Sequence, residues 1–516
     1  MKSQKKALPA ETGFILFFLL INLFIHLYTN LFAGYEIFRD ELYYLACSTR
    51  PAMGYVDQPP FSIYLLILIK MLIGDSVFAI RLLPAILSSL TVFFAGLMAR
   101  KLGGGIAAIV ITCMTVIVTP IYLAMNTYYS MNSIDIFFWA LAAYILILIF
   151  KDGKQKHWIT LGVITGLGLL NKISMAWFVI GLLVALLVTS QRKQLLTRWP
   201  YLAGIIALIL FTPFIVWNIT HNLAHLEFMR NATLYKYSGI TRVDFVLGQF
   251  LLMNPAAVPI WFAGLYYFFM NRQGRVMNTL GIIFIVTFII LFINGHSKPE
   301  YLSPAYIPLL AAGGIQLEQL ARKKYRGWIK IFVPALIVFI GIVIAPMALP
   351  VLPVEAFISY SKTLPMQPPS VESKELTQLP QFYADMFGWE NMAKSVSDVY
   401  TSLPQEERAE TVVFIRNYGE AGAIEYFSKK YNLPPVICPH NNYWYWGLEM
   451  LNTNISTVII VGGQQKDHLK ALEIVEQVAV IQCKYCMPYE NNLPVYIGKN
   501  LKRPLQDIWE AEKSFN

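Results

Sequence analysis

The residues with the most chemistry to offer come early in the chain. Arg39, Asp40 and Glu41 lie in Tyr35-Glu36-Ile37-Phe38-Arg39-Asp40-Glu41-Leu42-Tyr43-Tyr44, and Asp57 and Gln58 follow in Gly54-Tyr55-Val56-Asp57-Gln58-Pro59-Pro60. An oriented carboxylate can take a proton from a hydroxyl, and a cation nearby suits a departing anion. Asp40 and Glu41 are neighbours, so they cannot share a helix face and must serve two partners, or one of them faces solvent. Pro59 and Pro60 impose extended backbone and delay any helix until Phe61, which holds Asp57 in a defined place. Solvated loop charges are the plain alternative, and the aromatic crowding of the segment weighs against it. Further along stand Asp135, Lys172 and the mixed cluster His296, Lys298, Glu300 and Tyr301. Each has a plain alternative: a helix-start acid complements the macrodipole, a lysine beside an apolar stretch snorkels, and a single loop histidine is uncommitted.

The elements that must position these residues are apolar. The chain has 516 residues, of which 56% are hydrophobic and 14% charged, well below the charged fraction of about 25% in soluble globules. Five cysteines exclude a disulfide-rich scaffold, and scattered Pro and Gly exclude collagen and low-complexity disorder. Stretches of about 20 apolar residues, enough to cross a bilayer, begin near Phe14, Val77, Ile106, Ile134, Trp158, Ile173, Tyr201, Phe245, Met277, Leu302 and Ile331, which makes about eleven spans. The net charge of +10 divides into +15 up to Leu352 and −5 from Pro353 onward. The basicity therefore belongs to the membrane half, and no nucleic-acid partner is expected.

Cytoplasmic loops carry the Lys and Arg excess. With the N-terminus inside, alternate segments hold Lys2, Lys5, Lys6, Arg100, Lys101, Lys151, Lys154, Lys156, Arg192, Lys193, Arg198, Arg272, Arg275 and the Arg322 to Lys330 cluster. The remaining loops and span ends balance 9 basic against 9 acidic residues. An odd number of spans then puts the acidic tail outside the cytoplasm. Met1 to Ala33 reads as an uncleaved signal anchor, since no small-residue cleavage site follows its apolar run.

Arg39-Asp40-Glu41 with Gly54 to Pro60, then Gly74-Asp75-Ser76 and Arg81-Leu82-Leu83-Pro84, resembles the polyprenyl-phosphate-sugar glycosyltransferases of family 39. That group includes protein O-mannosyltransferases and the aminoarabinose transferase of lipid A. Asp135, Asn171-Lys172, Pro213 to Asn218 and Pro299 to Tyr306 echo it more weakly. The resemblance implies an α-helical polytopic membrane protein of GT-C architecture with a C-terminal soluble α/β domain. Residues 1–352 would form the membrane domain, with a catalytic first outer loop at 34–76, and residues 353–516 an extracytoplasmic domain. It places the catalytic base on Asp40 with Glu41 beside it, and substrate-binding roles on Arg39, Asp57, Gln58, Asp135, Lys172, Lys298 and Tyr301. In the aminoarabinose transferases a lysine stands where this chain has Gln58, which argues against copying the lipid A substrate.

The implied partners are a polyprenyl-phosphate sugar donor, a lipid, glycan or protein acceptor, and the bilayer of the inner cell membrane. No cofactor or metal ligand is assigned, and the need for a divalent cation stays open. The expected reaction moves one sugar to a hydroxyl or phosphate with inversion. A transporter or flippase of lipid-linked sugars competes by composition, although transporters place ionisable groups near the bilayer midplane, whereas Arg81, Asp135 and Lys172 fall near outer span ends.

In the tail, Thr411 to Ile415, Val436 to Cys438, Thr457 to Val461 and Val478 to Gln482 read as strands, with helices near Glu420 to Lys430 and Lys466 to Glu476. Leu364 to Pro369 is a proline-rich connection. Asn417 to Ala423 makes a strand-to-helix turn suited to an anion or to nothing beyond connection. Asn441 to Gly447 holds four consecutive aromatics, which suit sugar stacking, a membrane interface or plain core packing. Cys483-x-x-Cys486 with Cys438 and His440 is a weak zinc signature, and in an oxidising compartment a disulfide is expected instead. Cys47 falls in the first loop, and Cys113 reads as an inert membrane residue.

Overall fold

The computed structural model describes residues 9–364, 377–450 and 455–516. Lys2, Lys5, Lys6 and the Pro365 to Pro369 part of the proline-rich connection lie outside the described residues. The chain divides into two compact units, one of residues 1–33, 78–216 and 240–353, the other of residues 34–77, 217–239 and 354–516. The first outer loop thus clusters with the tail, where a single cut after residue 352 would group it with the helices.

The first unit is helical and polytopic. Among the described residues six helices are long and apolar enough to cross a membrane: Ala10–Phe32, Val77–Leu102, Met131–Asp152, Trp199–Thr220, Gly274–Asn294 and Ile329–Ala348. Two more candidates are bent pairs, Met175–Val188 with Ser190–Leu196 at 104° and Arg242–Leu252 with Pro255–Phe269 at 87°. Each of the eleven apolar stretches carries a helix, but those at Ile106–Ile117, His157–Asn171 and Tyr306–Ala321 have 12, 15 and 16 residues. At 1.5 Å per residue they reach roughly 18 to 24 Å, short of the roughly 30 Å of hydrocarbon. Length and composition alone therefore license six to eight crossings, and the three short helices make up the difference from eleven.

Without a hydrophobic drive between helices in lipid, small residues that let backbones touch do the joining. The Val258–Phe269 and Tyr306–Ala321 helices show this reciprocally. A Cβ at Gly264 would sit 2.1 Å from the Leu309 carbonyl oxygen, and one at Gly313 would sit 2.0 Å from that of Ile260. Polar pairs add to it: Asn22 Nδ2 donates to Ser88 Oγ at 2.9 Å, joining the first two long helices.

In the second unit the tail forms a five-stranded sheet of order β2-β1-β3-β5-β4. The strands are β1 Thr411–Phe414, β2 Val436–Ile437, β3 Thr457–Val461, β4 Leu472–Ile481 and β5 Leu493–Leu501. β1 runs parallel to β2 and β3, and β5 antiparallel to β3 and β4. The helix expected over Lys466 to Glu476 is confined to Gln465–His468, and Leu472 onward is strand. Apolar Leu472, Val475 and Ile481 are buried while Glu473, Ile474, Glu476 and Gln477 are exposed. That spacing imitates a helix stripe because β4 is an edge strand with a bulge between Gln477 and Ala479. β5 was not foreseen. The Tyr418–Tyr431 helix falls where its pattern predicts, and its Asn417 side chain caps it by accepting the Gly419 N–H at 2.7 Å.

The close helix contact yields a test. Gly313→Ala should lower the thermal midpoint of the protein in detergent by several degrees, since overpacking a tight contact costs about 1 to 3 kcal/mol. Gly204→Ala, at a position where an added Cβ meets nothing within 4 Å, should leave it unchanged or slightly raised. Equal midpoints for the two variants would contradict the account of packing.

Candidate active site

Arg39, Asp40 and Glu41 are the first three residues of the Arg39–Thr49 helix, where carboxylates complement the helix dipole. The two acids do serve different partners. Glu41 is fully buried and its Oε2 accepts the backbone N–H of Phe38 at 2.9 Å, reaching back over the helix start. Asp40 keeps 35% of its side chain exposed and takes its contacts on one oxygen. Its Oδ1 accepts the Tyr418 hydroxyl at 2.8 Å and lies 3.5 Å from Arg39 Nε. Among the described residues Oδ2 has no partner.

Arg39 is buried and committed to the protein. Its Nη1 lies 3.5 Å from Asp385 Oδ2 and donates to the Tyr489 hydroxyl at 3.1 Å, while its backbone N–H donates to the Asp385 carbonyl at 3.0 Å. Burial pushes Glu420 up to about 8, with Arg39 pulling the other way. The loop also docks at its far side. Arg50 meets Glu425 through two hydrogen bonds of 3.0 and 2.6 Å, and its guanidinium lies 4.5 Å from the centre of the Trp446 ring. The aromatic run is therefore largely packing: Tyr443 and Trp444 are buried and the Tyr443 hydroxyl donates to Glu425 at 3.1 Å.

Asp57 accepts the Tyr43 hydroxyl at 3.0 Å. The preceding Val56 is pinned by Asn442 Oδ1 on its N–H at 2.6 Å and by His225 Nδ1 on its carbonyl at 2.9 Å. Burial pushes Asp57 up to about 6, opposed chiefly by the Tyr43 hydrogen bond. Gln58 is fully buried, with its Oε1 accepting Ser62 Oγ at 3.2 Å.

Asp135, Lys172, Lys298 and Tyr301 belong to the helical unit. Ser174 Oγ donates to Asp135 Oδ2 at 2.7 Å, and Lys172 Nζ lies 3.9 Å from the same oxygen. Lys172 also donates to Asn132 Oδ1 at 2.7 Å and sits 4.9 Å from the Tyr301 ring centre. Lys298 pairs with Glu300 at 3.8 Å. Asn132, Asp135, Lys172, Glu300 and Tyr301 share a cavity of about 10 Å³, the size of one water. His296 stands apart, on the Ile240 carbonyl at 3.0 Å.

Among the described residues no group of three or more His, Cys, Asp or Glu side chains could hold a metal ion, which removes the zinc reading of Cys438, His440, Cys483 and Cys486. All five cysteines are free thiols, so the disulfide expected of the Cys483 to Cys486 segment is not formed. Cys483 Sγ instead accepts the Cys486 N–H at 3.2 Å.

Residues 57–217 match the family described as dolichyl-phosphate-mannose-protein mannosyltransferase. ArnT from Cupriavidus metallidurans in the apo state superposes with a TM-score of 0.62 at 12% identity, over 95% of this chain and 98% of that one. The same protein bound to undecaprenyl phosphate gives 0.61 at 12% identity, over 94% and 98%. The oligosaccharyltransferase of Archaeoglobus fulgidus in the apo form gives 0.50 at 12% identity, over 89% and 70%. The fold is GT-C-like. A search of curated proteins finds no match.

The residues that sequence reasoning missed are Tyr418, Asp385 and Tyr489, all in the tail and all on Arg39 or Asp40. The one available signal was the Asn417 to Ala423 turn, read as a place for an anion.

The raised Asp57 generates a pH test. A folded state that holds this proton more tightly than the unfolded chain gains stability below the ordinary carboxyl pKa of about 4, and loses it as pH climbs through 6. Asp57→Asn, which stays neutral, should therefore gain a few degrees in thermal midpoint relative to wild type between pH 4 and pH 7. A midpoint difference that is flat with pH would show that Asp57 is not buried in this way.

Proposed function

We propose that the protein is an integral membrane glycosyltransferase that moves one sugar from a polyprenyl-phosphate carrier to an acceptor hydroxyl, or to a phosphate, on an envelope lipid, glycan or protein. The observation that carries this reading is Asp40: one carboxylate oxygen is held by the protein, and the other has no partner among the described residues, on a side chain that keeps 35% of its surface exposed. The GT-C-like fold and the bound undecaprenyl phosphate in ArnT of Cupriavidus metallidurans support the lipid-phosphate donor.

In this reading the acceptor oxygen attacks the anomeric carbon and forms the new glycosidic bond. The bond from that carbon to the phosphate oxygen breaks, and its electron pair leaves with the polyprenyl phosphate. A hydroxyl acceptor's proton passes to Asp40, a general base of the usual kind, whereas a phosphate acceptor attacks as an anion and has no proton to give up. A single displacement inverts the anomeric configuration. The leaving phosphate is already an anion and needs a cation, not an acid. Arg39 is a poor candidate for that cation, since it is buried and pledged to Asp385 and Tyr489. Glu41 serves the helix start.

The excess of Lys and Arg in alternate loops supports a cytoplasmic N-terminus, an extracytoplasmic tail and residence in the inner cell membrane. A transporter or flippase of lipid-linked sugars remains the second reading, favoured by the buried Asp135 and Lys172 pair inside the helical unit.

Purified protein in detergent, with no sealed compartment, should release polyprenyl phosphate from a pooled donor extract when an acceptor extract is present. Asp40→Asn should lower that turnover by about a hundredfold or more while the protein stays folded. A transporter forms no product in this setting. Absence of release from folded wild-type protein across the pool would favour it.

A further inference from the structure

The tail contributes more to residues 39–40 than a neighbouring domain needs to. Three of its segments converge there: the Asp385 carbonyl and carboxylate, the Tyr489 hydroxyl, and the Tyr418 hydroxyl. Tyr418 opens the Tyr418–Tyr431 helix, and its ring is fixed on three sides. Tyr43 lies 5.0 Å away centre to centre, His440 4.8 Å, and the Arg39 guanidinium carbon 5.5 Å. From this position its hydroxyl donates to Asp40 Oδ1 at 2.8 Å.

Close approach of two helices makes the contact possible. A Cβ built on Gly419 would lie 2.2 Å from Arg39 Cγ, and one on Gly422 would lie 2.9 Å from Leu42 Cβ and 3.1 Å from the Leu42 carbonyl oxygen. Residues three apart share a helix face. Gly419 and Gly422 therefore form a flat strip on which the Arg39–Thr49 helix rests, and any larger residue there would lift it. The glycines that resembled an anion turn in sequence are the docking surface for the helix that bears Asp40.

We infer that Tyr418 is a positioning residue for Asp40, so that the C-terminal domain supplies part of the transfer site. The inference rests on Asp40 acting as the base. By donating to Oδ1, the Tyr418 hydroxyl fixes the carboxylate plane and leaves Oδ2 as the proton-accepting atom. A base held within a narrow range of orientations gains rate chiefly through geometry, which acts on turnover more than on donor binding.

The test uses full-length protein in detergent with the release assay, comparing wild type, Tyr418→Phe, Gly419→Ala, Asp40→Asn and the Asp40→Asn, Tyr418→Phe double variant. Tyr418→Phe deletes one hydroxyl and keeps the ring. It should lower kcat about tenfold with the apparent KM for the donor pool and the thermal midpoint unchanged, and it should cost nothing further in the Asp40→Asn background. Gly419→Ala removes no functional group and should also lower kcat, by shifting the helix. Wild-type kcat in folded Tyr418→Phe, with Asp40→Asn at background, overturns the inference and leaves the proposed function standing. Wild-type turnover in Asp40→Asn overturns both. Should Tyr418→Phe fail to fold, Gly419→Ala is compared in the wild-type and Asp40→Asn backgrounds: a loss of kcat with unchanged KM and thermal midpoint that vanishes in the Asp40→Asn background supports the inference, and wild-type kcat or a loss that persists there overturns it.

Discussion

A buried guanidinium is the constraint on which the second unit depends. Arg39 has about 6% of its surface exposed, and a buried charge is tolerable only when its partners are in place. Those partners come from sequence far away: Asp385 and Tyr489 on the tail, with Glu420 close enough to feel its charge. Asp385 supplies a buried carboxylate and Tyr489 a hydroxyl to the guanidinium, so the burial of Arg39 ties the loop to the tail. Asp40, the next residue, takes its position from that tie.

The acids around Arg39 outnumber it. Asp385, Glu420 and Glu490 are all buried, and burial pushes Glu420 up to about 8 and Glu490 higher than an ordinary carboxyl. Both shifts have one chief cause, burial that disfavours the charged form. The helical unit solves a different problem. Its helices touch through Gly264 and Gly313 backbone to backbone, and its few interior charges are matched side by side, as Asp135 is with Ser174 and Lys172.

Much of this was legible in the chain. Each of the eleven apolar stretches carries a helix, and the crowded loop around Asp40 and Asp57 stands out by composition. What periodicity could not supply was length in space: a 12-residue helix such as Ile106–Ile117 and a bend of 87° near Pro255 leave the same apolar signature as a full span. β4 was misread at its start because an edge strand with a bulge mixes buried and exposed residues in a helical rhythm. The partner of Asp40 was beyond reach for a simpler reason. Tyr418 lies 378 positions away, and no local rule links a tyrosine at a helix start to a carboxylate in a distant loop. The resemblance implies a substrate contact at Gln58, and nothing in a Gln-Pro-Pro sequence announces that the side chain is fully buried.

The central claim is that Asp40 stands where the sugar changes hands. A structure of the protein with a non-hydrolysable polyprenyl-phosphate sugar and an acceptor alcohol bound tests it most directly. The account predicts the acceptor oxygen about 2.6 to 3.2 Å from Asp40 Oδ2, in line with the anomeric carbon and opposite the phosphate, with Tyr418 still on Oδ1. A donor whose anomeric carbon sits well beyond the reach of Asp40, with another carboxylate beside it, would contradict the account.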